Sequence, residues 1–355
     1  MNSQDIIKYR LANQRLSGTN FKKPAEPVKW LGAIQAQDFA AAKWAIGLRL
    51  PNVTDYDIED AFNKGEILRT HILRPTWHFV YSRDIKWMIQ LSGPRVNAGI
   101  STMYRKFELD DKIFRRSNKI IADALKEENY LTRSELIIPL HRAKINTDDL
   151  RLTLIVMRAE LDGLICSGPR KGKQFTYALL EERAPKAKTM NRDESLAELT
   201  KRYFFSRGPA TIPDFAWWSG LTLKDSRSGL EMIKSHLICE TIEENEYYFS
   251  DKSNRNIITD NFVNLLPNFD EYLVGYKNRK AAITDKNNNK LKHAGYGIFS
   301  NTILINGKIG GTWKRVLKKN SVDVSTKVFT SAGKEQKNEL KSAVNHYKKF
   351  ISGNF

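Results

Sequence analysis

The chain has 355 residues, enough for two or three domains of roughly 100 to 200 residues each, and its 41% hydrophobic, 28% charged and 10% aromatic content excludes a disordered polypeptide. Lys and Arg number 58 against 40 Asp and Glu, a formal charge of +18 with an isoelectric point near 9.7; this favours a polyanionic partner, nucleic acid or an anionic membrane surface, through counterion release and field steering. No apolar run approaches the roughly 18 residues of a spanning helix, and Met1-Asn-Ser-Gln-Asp5 lacks the charged-then-apolar layout of a signal peptide, so a cytoplasmic, nucleoid-associated location without membrane contact is expected. Cys166 and Cys239 stand far apart with no CxxC or Cys/His cluster, and the six histidines show no ligand spacing. Neither a metal nor any other cofactor is expected.

In chain order, Asp5 to Leu16 reads as an amphipathic helix ended by Ser17-Gly18-Thr19-Asn20. Pro24 and Pro27 open a second helix, expected to end near Ile34, and Asp38 is a natural N-cap for a third. The break between them holds Gln35-Ala36-Gln37. Two residues apart on a continuous helix these amides would diverge, whereas an extended or looped turn sets both on one side, exposed to one cleft, with Ala36 turned toward protein. The same residues also suit a solvated or backbone-capping pair. Asp55 is a candidate cap for a short helix reaching Asn63. Ile67 to Ile72 and Thr76 to Tyr81 then read as a β-hairpin around Arg74-Pro75. Helices followed by a β-hairpin is the winged-helix order. Alternation puts Arg69 and His71 on one face of this hairpin. With Arg74 and His78 they are candidate DNA contacts, the histidines also fitting a hydrogen-bonded structural role.

The pattern recurs. Helices Asn118 to Glu128, Thr132 to Ala143 and Thr147 to Leu161 lead into strands Leu164 to Ser167 and Gln174 to Leu179, which bracket a wing tip carrying Arg170, Lys171 and Lys173. These cations suit phosphate contacts, or a solvated charged turn. A third copy has helices Ser195 to Ser206, Thr211 to Trp218 and Thr222 to His236 and an acidic wing around Glu243-Glu-Asn-Glu246, which repels phosphate and points to scaffold. In the pair Trp217-Trp218 one ring at least belongs to a core. From Asn254 onward short β-like pieces follow, with Asn306-Gly307 as a hairpin turn and Asp285 to Lys290 as a loop. Asn306 to Phe350 carries eleven Lys or Arg against three acids, net +8. Asp270-Glu271 is the only catalytic-looking carboxylate pair, but neighbours in sequence diverge, and capping or an ion pair with Lys277 or Arg279 is expected. The expected architecture is α+β: three tandem winged-helix (helix-turn-helix) units, 1–115, 116–190 and 191–255, and a small β-rich C-terminal domain, 256–355.

Five segments in this order resemble the winged-helix DNA glycosylases of the AlkZ and YcaQ type: Ala33 to Asp38, Leu68 to Val80, Gly168 to Leu180, Arg207 to Ser219 and Leu265 to Tyr272. The resemblance covers nearly the whole chain. It implies monofunctional, metal-free excision of N-alkylated purines; double-stranded DNA carrying them is the expected partner and a monomer the expected state. It carries the family's motif, glutamine, an apolar residue, then glutamine or aspartate, onto Gln35 and Gln37 as catalytic residues of the glutamine branch. An amide cannot remove a proton at neutral pH, so the lability must come from the substrate. N7 or N3 alkylation makes the purine a cationic leaving group, and two amide oxygens aimed at one point then need only hold a water and stabilise the developing oxocarbenium ion. Asp38 could add negative potential there, but its capping role already engages its oxygens. The competing expectation is a non-catalytic winged-helix DNA-binding regulator, because fold does not fix function.

Overall fold

The computed structural model of the protein describes residues 1–250, 262–293, 299–319, 321–330 and 333–353. The boundary expected between 255 and 256, and the change of texture expected at Asn254, lie outside the described residues. The chain opens with α1 (Ser3–Asn13), started by a capping box in which Asn2 accepts from the N–H of Gln4 and Asp5 while Asp5 accepts from Asn2. Then come α2 (Ala25–Leu31), β1 (Ala33–Gln35), α3 (Phe39–Gly47) and α4 (Asp55–Asn63). Thr54 rather than Asp55 caps α4, exchanging bonds with Asp57, because the Asp55 carboxylate is taken by the buried Lys43 ammonium at 2.6 Å.

Strands β2 (Ile67–Ile72) and β3 (Thr76–Tyr81) form the expected hairpin, in register from Ile67 opposite Tyr81 to Ile72 opposite Thr76. Next are α5 (Ile85–Gly99), α6 (Ser101–Lys106), α7 (Asp111–Leu125), β4 (Leu131–Thr132), α8 (Arg133–Arg142), α9 (Arg151–Leu161), β5 (Ile165–Ser167), β6 (Thr176–Leu179) and α10 (Leu180–Arg183). They are followed by α11 (Arg192–Arg207), α12 (Ile212–Ser219), α13 (Leu223–Ile233), β7 (Leu237–Ile242) and β8 (Asn245–Ser250). The described remainder holds β9 (Val263–Leu266), α14 (Glu271–Val274), α15 (Asp285–His293), β10 (Thr302–Ile305), β11 (Lys308–Leu317), β12 (Val322–Val328) and α16 (Lys334–Ser352). Two expectations are corrected here. The segment from Asp285 to Lys290 is helical, started by the Thr284 hydroxyl and anchored by buried Leu291. The C-terminal part is not only β-rich, since α16 alone spans 19 residues.

The chain divides into two units, one of Met1–Asp60, Ala197–Trp218 and Thr222–Phe355, the other of Ala61–Leu196 and Ser219–Leu221. In the first, β12-β11-β10-β9 is a four-stranded antiparallel sheet whose β10–β11 turn is Asn306-Gly307, both at positive φ as such a tight hairpin demands. Helix α16 packs on this sheet through Tyr347 and Phe350, whose rings lie 5.0 Å from that of Trp44 on α3. Two indole N–H groups then tie β9 down: Trp44 donates to the Leu265 carbonyl and Trp313 to the Leu266 carbonyl, at 2.7 and 2.8 Å. The segment that leaves β9 is therefore fixed against α3. In the second unit, α7, α8 and α9 bury Phe114, Ile121, Leu125, Leu136, Leu140 and Ile155 against the sheet β4-β6-β5. The β2–β3 hairpin of that unit rests on α5, α9 and β5. No helix among the described residues is long and apolar enough to cross a membrane.

Candidate active site

Helix α2 stops at Gly32, whose φ of 75° is open to glycine and strained for other residues. The next three residues are extended, and α3 restarts after Asp38. Asp38 is the expected cap, with extended backbone and a side chain accepting from Ala41 N–H at 3.0 Å. Gln35 and Gln37 thus lie outside helix, separated by a fully buried Ala36. The two amides are not equivalent. Gln37 is exposed, but Gln35 is 8% exposed, against the expectation that both would be open.

What holds this turn is the segment after β9. The buried Glu271 carboxylate accepts the Gln35 backbone N–H at 2.9 Å on one oxygen, and Arg207 Nη2 at 2.6 Å and Trp218 Nε1 at 2.9 Å on the other. Arg207, equally buried, donates to the carbonyls of Leu31 and Ala33 at 2.7 and 3.1 Å, one on each side of Gly32, and its guanidinium lies 4.2 Å from the Trp218 ring. The neighbouring Asp270 points elsewhere: it caps α14 and forms a two-pronged pair with the fully buried Arg49, both contacts at 2.8 Å. Asn268 donates to the second Asp38 oxygen at 3.2 Å. Of the two roles expected for Asp270 and Glu271, capping is found at Asp270, but the ion pairs are with Arg49 and Arg207 and not with Lys277 or Arg279. Lys277 uses its N–H, not its ammonium, on Asp214, and Arg279 donates to the Leu273 carbonyl. The missed residues are Arg49 and Arg207, whose only sequence signal is a lone arginine beside apolar or Gly-Pro neighbours.

The other candidate residues belong to the second unit. Arg69 is 8% exposed, its guanidinium 4.2 Å from the Trp77 ring and 4.6 Å from that of Phe175; burial lowers its pKa to about 10, which leaves it charged at neutral pH. His71 is buried, its Nδ1 bonded to the Glu160 carboxylate and its ring 4.5 Å from Trp77, so it shares a face with Arg69 as alternation requires. His78 is fully buried, with Nδ1 3.0 Å from the Thr76 carbonyl, and Arg74 in the turn is half-buried. In the β5–β6 connection Lys171 and Lys173 are exposed, whereas Arg170 folds back over Phe175, 4.4 Å from its ring. Lys171 pairs with Glu135 at 2.6 Å, and this ammonium, helped by Thr132, lowers the Glu135 pKa to about 2. Trp218 is core and Trp217 is 45% exposed. Among the described residues no group of three or more His, Cys, Asp or Glu could hold a metal ion.

A comparison with curated proteins finds no match. Among solved structures the fold is similar to that of the Streptomyces sahachiroi DNA glycosylase AlkZ, with a TM-score of 0.79 at 18% sequence identity over 99% of this chain and 97% of that one. A family model described as DNA glycosylase AlkZ-like matches residues 28–350, which contain Gln35, Gln37 and the Arg49, Arg207, Trp218, Asn268, Asp270 and Glu271 framework behind them. The chain belongs to the AlkZ-like DNA glycosylase family.

Proposed function

We propose that this DNA-repair glycosylase hydrolyses the N-glycosidic bond of cationic purines alkylated at N7 or N3, crosslinked adducts included, and that Gln35 and Gln37 are its catalytic residues. The observation that carries this reading is the Gln35-Ala36-Gln37 turn itself. It is non-helical, anchored on Glu271 through the Gln35 N–H, and it presents Gln37 to solvent while Ala36 is buried. In an extended segment residues two apart project to one side, which suits two amides serving one water. The exposed Gln37 amide then holds the water for attack at C1′, and the largely buried Gln35 amide orients it. The alkylpurine leaves as a neutral base, water supplies the hydroxyl to C1′, and its proton passes to solvent. Asp38 acts as cap and as acceptor for Asn268, which leaves the chemistry to the amides. The same reading makes the protein a monofunctional monomer built of three tandem winged helices. In it Arg74 of the first hairpin and Lys171 and Lys173 of the β5–β6 connection serve double-stranded DNA binding, with Arg170 held on Phe175, whereas the expected direct contacts from Arg69, His71 and His78 are withdrawn, because burial makes these three supports of the hairpin.

The test is incubation with duplex DNA carrying N7-methylguanine, with released base quantified chromatographically. Wild type is expected to release the base. Gln37→Ala should lose about 10²-fold to 10³-fold in rate, the usual cost of one preorganised dipole, with DNA affinity nearly unchanged. Gln37→Asp should retain more activity than Gln37→Ala, since a carboxylate still orients the water and also accepts its proton. Equal release by wild type and Gln37→Ala would remove Gln37 from the mechanism.

A further inference from the structure

Phe269 follows the asparagine that bonds Asp38, and its backbone lies in the left-handed region, at a φ of 60°. A phenylalanine avoids this region unless its surroundings over-determine it, and such residues concentrate at binding and active sites. Here both neighbours are fixed. Asp270 is buried in its pair with Arg49, and Asn268 is tied twice, by its N–H to the Asn301 Oδ1 at 2.8 Å and by its amide to Asp38. The consequence is a half-buried ring stacked on Phe299, with centroids 5.2 Å apart and planes 29° from parallel. Phe299 is 43% exposed, so the stack forms a shelf open to solvent. Beside it the Asn268 Oδ1 is buried without a hydrogen-bond partner among the described residues, a costly orphaned acceptor of the kind that marks strained functional sites. Asn268, the residue before Phe269, bonds Asp38, the residue after the exposed Gln37.

We infer that Phe269 and Phe299 form a lesion-recognition shelf that receives the flat face of the alkylated purine. The inference rests on the reading that Gln37 faces the scissile bond. Its physical basis is the ring quadrupole. An aromatic face is negative, so a purine made cationic by N-alkylation is held more tightly than a neutral one. The strained backbone of Phe269 aims the ring, Phe299 supports it, and Asn268 holds both to the catalytic turn. The shelf thereby selects substrate by the same positive charge that makes the glycosidic bond labile.

The experiment compares binding to two duplexes, one containing N7-methylguanine with a 2′-fluoro sugar that blocks hydrolysis and the other containing guanine at the same site. Phe269→Leu and Phe299→Leu keep apolar bulk and remove the quadrupole. Each should lower the lesion-over-guanine affinity ratio by roughly 2-fold to 30-fold, the range of a cation–aromatic contact, while Phe299→Tyr retains it. Should Phe269→Leu fail to fold, the more exposed Phe299→Leu carries the test. An unchanged ratio in folded Phe299→Leu, or an equal loss of affinity for both duplexes, overturns the shelf. Gln37→Ala in the same series should keep the ratio and lose only base release from the cleavable lesion. Wild type that binds but releases nothing would defeat the catalytic reading, whereas release with an unaltered ratio in the Leu variants would defeat the shelf alone.

Discussion

Glu271→Gln isolates the framework behind the Gln35-Ala36-Gln37 turn. The native carboxylate accepts on both oxygens, from the Gln35 N–H on one and from Arg207 and Trp218 on the other. A glutamine amide has one accepting oxygen and one NH2 that only donates, so in either orientation it sets donor against donor on one side. Arg207, fully buried, also loses its counter-charge. Breaking one partner of a buried pair costs about 3 to 5 kcal/mol, and the isosteric change belongs at the lower end, about 3 kcal/mol. Against a typical total of about 5 to 15 kcal/mol the protein should remain folded but loosened. About 3 kcal/mol corresponds to roughly 150-fold in a local opening equilibrium. Amide hydrogen exchange across residues 31–37 should therefore quicken by about that factor, and urea unfolding should shift in parallel. Glu271→Gln with Arg207→Met should recover part of the loss, because the second change removes the stranded charge. Base release should fall with DNA affinity preserved, since Glu271 acts through the Gln35 backbone. A change below about 1 kcal/mol in both unfolding and exchange would refute the reasoning.

Replacing Arg170, Lys171 and Lys173 by Ala should weaken DNA binding evenly across sequences; with Arg170 folded over Phe175, the slope of log K against log salt should fall by about 1.8, about 0.9 for each of two lost phosphate contacts. An unchanged slope would return the wing to scaffold. Carboxyl NMR should find Glu135 titrating at about 2, held there first by Lys171, and Lys171→Ala should raise it toward 4.5; DNA binding should raise it too if Lys171 transfers to phosphate. Because the folded value is depressed, the stability tied to Glu135 is fully present above about 4.5 and is lost as pH falls through about 2, a window that Lys171→Ala should narrow. Gly47→Ala sets a helix-propensity gain of about 1 kcal/mol against a Cβ that would sit 2.5 Å from the buried Phe350 ring, an overpacking cost of about 1 to 3 kcal/mol. A lowered melting temperature is expected, and a raised one would mean that α16 moves aside freely.

The break at Gln35-Ala36-Gln37 was legible because its signals are local: a proline-started helix before it and an aspartate cap after it. Strands were legible wherever turn chemistry marked them, as at Asn306-Gly307. The partners of Asp270 and Glu271 were not, because Glu271 meets Gln35 across 236 positions and Arg207 across 64, and nothing near the acids names those residues. Lys277 and Arg279 are only the nearest cations after them in sequence. At β2 the alternation was read correctly, but it implied an open face. The strand is instead covered on both sides, and Arg69 is accommodated there by two aromatic rings, a device that composition does not reveal. In α16 the spacing of Ala343, Tyr347, Phe350 and Ile351 is helical, yet the lysines between them read as a basic tail. The short α15 is almost wholly polar, and its helix depends on one cap and one buried leucine.

Two buried ion pairs beside one turn need a physical reason, since such pairs contribute little net stability and leave a costly uncompensated charge when one partner is lost. The proposed mechanism supplies one. An amide is a weak catalyst, without a charge to spread or a proton to take, and its dipole stabilises a transition state only when aimed before the reaction begins. Adjacent acids are suited to that task because they diverge. Asp270 binds Arg49 just beyond α3, Glu271 binds Arg207 and the Gln35 N–H, and Asn268 between them and β9 binds the Asp38 cap. The backbone carrying both glutamines is thus gripped on each side of Gly32, at Gln35 and at Asp38. If the amides served only solvation, neutralising Glu271 would cost stability and leave catalysis alone. If they act by orientation, base release should fall more steeply than the folded fraction.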